Sequence, residues 1–304
     1  MIRLAVGVAL LAVVVLLAGC SGVAGKIEKQ LPVAVNAVER LGEQLDRGRV
    51  RNAQLIKIYA ERVSDRKPEL RELTDVLGRE ASRKGNLYQG LVTRVEDAKG
   101  QVGSGGSSQE QQTLLRELGH IAQAADVQEF NLALTDPLNV LADLSDGALA
   151  RVDALSARAS SQANNAANLG PGSQLVGNPH YGHWQTGAGG SFWVWYGQFA
   201  LMRDLLGGPR IGYGAWAGGR NYSYYHDWGR DNYTSPGARR AQTRVESTAR
   251  QKFASEGRTF RSPYATQRTG ASRAITRQKS VRRTSTASTR GTGSRGFGGS
   301  RGGK

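Results

Sequence analysis

The chain has 304 residues, 41 Lys+Arg against 25 Asp+Glu, 39% hydrophobic residues and 40 glycines. That length allows one or two domains, and so low an apolar fraction beside so much glycine predicts that much of it is not packed core. A single cysteine leaves no disulfide partner, so any fold stands on packing alone. The charge is confined: residues 236–304 hold 17 Lys+Arg against Glu246 and Glu256, whereas Cys20 to Ser235 balances 23 basic with 23 acidic residues.

At the start, Arg3 precedes an aliphatic run from Leu4 to Leu17, closed by Leu17-Ala18-Gly19-Cys20. A basic start, a short apolar core and small residues before the cut form a secretory signal over 1–19. Leu4 to Gly19 supplies 16 residues, where crossing a bilayer takes about 20. Leu-Ala-Gly-Cys resembles the lipobox of bacterial lipoproteins. That resemblance implies a diacylglycerol on the Cys20 thiol, acylation of the new amino terminus with a chain such as palmitate, and no other cofactor. Ser21 after the cysteine implies outer-membrane sorting, with the protein on the periplasmic face of a Gram-negative envelope. Residues 20–25 read as the lipidated terminus and its spacer.

Apolar residues then recur at helical spacing: Ile27, Leu31, Val35, Val38, Leu41, Leu45, Leu55, Tyr59 and Val63. Pro32 falls near the first turn, where it is tolerated, and Gly42 and Gly48 weaken the middle. After Asp65-Arg66-Lys67-Pro68, a second stripe runs from Leu70 to Val95 and skips a turn at Lys84-Gly85. Ser108-Gln-Glu-Gln111 matches a capping box opening a third helix. Asp136-Pro137 starts a fourth, whose stripe continues through Leu155 toward Ala159. Residues 26–159 are thus expected to form helical hairpins or a bundle, a spacer or assembly surface with coiled-coil character that can hold a protein partner. His120 is given no role.

Residues 160–177 read as a linker. Residues 178–235 hold all five tryptophans, three of four histidines and seven of ten tyrosines. Helical spacing over Ser191–Leu206 and alternation over Ile211–His226 predict a helix on a Gly-rich hairpin, a small α+β module. Residues 236–304 predict a disordered basic tail, with a transient helix over Arg244–Phe253. The stretch Tyr222 to Trp228 followed by that tail looks like uncharacterised proteobacterial lipoproteins, a likeness that carries no activity. The expected fold class is mainly α, with the aromatic module and the tail appended.

The tail predicts an anion-binding surface at Arg239, Arg240, Arg244, Arg277, Lys279, Arg282 and Arg283. In an exported protein the partners are lipopolysaccharide phosphates, anionic phospholipid, peptidoglycan carboxylates or extracellular DNA; intracellular nucleic acid is not expected. The expected function is a non-enzymatic envelope lipoprotein. One alternative is a glycan- or lipid-binding module that uses Trp184, Trp193, Trp195, Trp216 and Trp228. A weaker one is a metallo-hydrolase built on His180, His183 and His226, because three such ligands leave Zn²⁺ an open position for water. Against it, Tyr181 and Gly182 stand where a glutamate base would sit. No enzyme family is recognised.

Overall fold

A computed structural model describes residues 2–152, 170–206 and 210–264, with side chains from Gly22 onward. Mainly helical with one two-stranded sheet, it runs α1 Ile2–Asp46, α2 Arg51–Arg66, α3 Arg71–Arg79, α4 Asn86–Gln101, α5 Ser108–Ala124, α6 Val127–Ala133 and α7 Thr135–Leu144. There follow β1 Gly182–Gly187, β2 Gly190–Trp195, α8 Leu201–Leu205, α9 Tyr213–Gly219, α10 Arg230–Tyr233 and α11 Pro236–Ser255. Among the described residues no helix is long and apolar enough to cross a membrane.

The leader and the first stripe form one helix, so Pro32 lies inside α1 rather than at its start. Cys20 falls within α1, and its side chain lies outside the described residues. The expected long first helix divides at Gly48, whose left-handed φ of 67° glycine adopts without a Cβ penalty. The second divides at residues 80–85. There the buried Glu80 accepts from the backbone N–H of Asn86 at 3.0 Å and of Leu87 at 3.2 Å, capping α4. Gly42 lets α1 approach α4 closely, since a Cβ there would stand 2.5 Å from the Tyr88 hydroxyl.

Local signals decide the remaining boundaries. The capping box is real but one residue earlier than expected, with Ser107 as N-cap and Glu110 reaching back to it. The fourth helix stops at Leu144, because Asp146 and Gly147 turn left-handed at φ 53° and 87°. The Asn139 side chain then holds the returning chain by both backbone groups of Val152. The expected continuation through Leu155 to Ala159 lies outside the described residues. The end of the expected linker is core, with Ser173, Gln174, Leu175 and Val176 all buried.

The aromatic region reverses the expected order of helix and hairpin. Phe192-Trp193-Val194-Trp195 is a strand, paired antiparallel with β1 so that Trp184 faces Trp193. Gly190, at φ 114°, makes the turn. These aromatic and β-branched residues suit a pleated surface better than a helix. The segment expected to alternate is helical instead: α9 covers Tyr213–Gly219, and a π-turn over Tyr225–Gly229 leads into α10. The region also packs on the helical bundle. Tyr181, Phe199, Met202, Tyr224, Tyr225 and Tyr233 join one continuous core with the leucines of α1–α7.

Residues 236–255 are not disordered tail. They form α11, capped by Ser235, whose hydroxyl accepts from the Ala238 N–H at 3.2 Å. Gln242 and Val245 are buried there. Burying one face supplies the tertiary packing that composition alone does not reveal. Residues 265–304 lie outside the described residues.

Candidate anion-binding groove

α5 and α11 bound a groove of about 510 Å³ lined by Thr113, Arg116, Glu117, His120, Pro236, Arg239, Arg240, Thr243 and Arg244. On α5 the lining falls at spacings of three and four, one helical face. On α11 it runs from Pro236, in the first turn where the macrodipole is positive, to Arg244.

Beneath the groove lies a polar network that fixes its floor. Arg94 of α4, 4% exposed, pairs with Glu117 at 2.6 Å and also donates to the Asn232 carbonyl. Asn232 Nδ2 donates to Glu129 at 3.1 Å, which turns its Oδ1 toward His120 Nδ1 at 3.2 Å. That orientation requires the His120 proton on Nδ1. The Glu117 charge on the groove wall is therefore already matched by a buried cation. Arg239 is likewise committed, by Nη1 to Asp231 at 2.8 Å and by Nη2 to the Asp231 carbonyl at 2.9 Å.

Three guanidiniums remain. Arg116, Arg240 and Arg244 form no ion pair among the described residues. All three are exposed on the groove. Arg116 is steadied by Thr113, whose Oγ1 accepts from Nη2 at 3.2 Å. Thr113 and Thr243 spend their own hydroxyl protons on the carbonyls of Gln109 and Arg239. The wall thus presents cationic donors with little acceptor competition, which is the chemistry of anion capture.

Of the basic residues singled out in the sequence, the structure brings together Arg239, Arg240 and Arg244. Arg277, Lys279, Arg282 and Arg283 lie outside the described residues. Arg116 and His120 were missed, because nothing in the local sequence announces that α11 packs near α5.

The tryptophans do not form an open platform. Trp184 sits 5.2 Å from Trp193 and 5.0 Å from Trp216, ring centre to ring centre, and Trp193 sits 5.7 Å from Trp195. Trp193 and Trp216 are 5% and 3% exposed, in a second core with Val176, Tyr213, Val245 and Phe260. Trp228 is 37% exposed. The indoles meet one another edge to face or tilted rather than side by side, and Trp193 and Trp195 also line a pocket of about 260 Å³ with Phe192 and Arg210.

The three histidines are also engaged separately. His180 packs on Gly90 of α4 and meets the Tyr233 carbonyl through Nε2 at 2.9 Å. Burial and the nearby Arg94 push its imidazole down to about 4. His226 meets the Val176 carbonyl at 2.7 Å, and burial pushes it down as well. His183 lies exposed on β1, stacked on Tyr196 at 5.9 Å. Among the described residues no group of three His, Cys, Asp or Glu side chains is placed to hold a metal ion.

Comparison with protein-family models, curated proteins and solved structures gives no match.

Proposed function

We propose that this chain is a non-enzymatic, lipid-anchored protein of a bacterial envelope, held at Cys20, that binds anionic envelope polymers through a cationic C-terminal region beginning in the α5–α11 groove. The observation that carries the reading is the convergence of Arg116, Arg240 and Arg244, without carboxylate partners among the described residues, on one concave space. The lipobox-like Leu17-Ala18-Gly19-Cys20 supports the anchor, and two or more acyl chains hold a protein stably where one does not. Ser21 favours the periplasmic face of the outer membrane. The helices act as spacer and assembly surface. Lipopolysaccharide, phospholipid and peptidoglycan all carry the required negative charge.

Two measurements test this. Labelled fatty acid fed to expressing cells should appear on the wild-type chain and not on Cys20→Ser. In neutral detergent micelles the full chain should be retained on immobilised lipopolysaccharide and released as salt rises, because exposed charges are screened. Retention that ignores salt, or no acylation at all, would overturn the reading.

A further inference from the structure

We infer that the α5–α11 groove is a site for a phosphate monoester, distinct from the diffuse attraction of the remaining basic tail. The inference narrows the proposed function to one ligand class at one place. A carboxylate brings one negative charge and two oxygens, which one guanidinium fork satisfies. A phosphate monoester brings −1.5 to −2 charges at neutral pH and three terminal oxygens. The groove offers three guanidiniums without ion pairs, Arg116, Arg240 and Arg244, drawn from two helices. A fourth, Arg239, is already occupied by Asp231. Arg240 and Arg244 stand one helical turn apart on α11, and Arg116 approaches from α5, so the donors come from both sides of the space. The positive end of the α11 macrodipole adds to the same field. A volume of about 510 Å³ admits the phosphate together with the group esterified to it.

Glycerol 3-phosphate is the free probe and phosphatidic acid in neutral micelles the lipid-borne one. Acetate at equal ionic strength is the carboxylate control. Calorimetry on the full chain should show glycerol 3-phosphate binding at least about tenfold more tightly than acetate, as expected when several charge-assisted hydrogen bonds form. Whichever of the two phosphate probes binds more tightly identifies the source of the ligand, and binding of either supports the site. Two variants separate the groove from general charge. Arg116→Ala/Arg240→Ala/Arg244→Ala removes three charges from exposed positions and should abolish the preference. Arg277→Ala/Lys279→Ala/Arg282→Ala/Arg283→Ala removes four from the tail and should keep it. Unaltered helical circular dichroism confirms that both variants fold. Equal affinity for phosphate and acetate, or equal loss in both variants, overturns the inference. Salt-sensitive retention on lipopolysaccharide would survive that result, and its absence would instead overturn the proposed function.

Discussion

Asp136 of α7 caps a helix from another part of the chain: its Oδ1 accepts the backbone N–H of Tyr224 at 2.9 Å. Its Oδ2 accepts from the Tyr225 N–H at 3.0 Å and from the Ser223 hydroxyl at 2.9 Å. Three donors around a buried carboxylate tie the helical bundle to the aromatic region. Asp136→Ala would strand those donors in the core and should destabilise the chain by about 3 kcal/mol or more. Asp136→Asn, which keeps an acceptor oxygen, should cost less. Urea unfolding of both variants checks the order.

The pH dependence of stability should hold a compensation. Burial pushes the Asp136 carboxyl up to about 6, against an ordinary value of 3.8. The folded state therefore binds that proton more tightly than the unfolded chain, and stability falls as pH rises from about 4 to 6. His180 works oppositely: held down to about 4 against 6.5, it takes up its proton first in the unfolded chain, so stability rises with pH across that window. Each contribution is on the order of 3 kcal/mol. Asp136→Asn should remove the Asp136 component, so that stability rises more with pH between about 4 and 6 than it does in the wild type. Melting temperatures at several pH values measure this, and a profile unchanged from wild type would refute it.

Two helical glycines should respond in opposite directions to alanine. At Gly90 a Cβ would stand 2.3 Å from the His180 ring, so Gly90→Ala must displace the imidazole from the Tyr233 carbonyl and should cost about 1–3 kcal/mol. At Gly119, in α5, nothing lies within 4 Å. Gly119→Ala should stabilise by up to about 1 kcal/mol through helix propensity alone.

The buried Arg94–Glu117 pair joins α4 to α5, and its second arm reaches the Asn232 carbonyl. Removing one charge leaves the other buried and uncompensated. Arg94→Ala should therefore cost about 3–5 kcal/mol, whereas Arg94→Met with Glu117→Leu should recover most of the loss. A double-mutant cycle in urea separates the two outcomes.

Local pattern alone determined the helices that bury one face. The Leu70–Val95 stripe with its weak middle became α3 and α4, and a capping box near Ser108 was found one residue away, because spacing and caps act within a few residues. The hairpin was placed in the wrong segment. The helical spacing from Phe192 to Leu206 holds only at its end, in Leu201–Leu205, whereas pairing with β1 across the Gly190 turn makes Phe192 to Trp195 a strand.

Sequence by itself determined the lipobox-like stretch at Cys20 and the segregation of charge, since both are properties of composition and order. Tertiary structure decided what the basic residues face. It placed Gln242 and Val245 in the core, made residues 236–255 a helix, and set Arg240 and Arg244 opposite Arg116. The reason is physical. A groove is made by two helices more than a hundred residues apart, and no local periodicity encodes which face of one will meet the other.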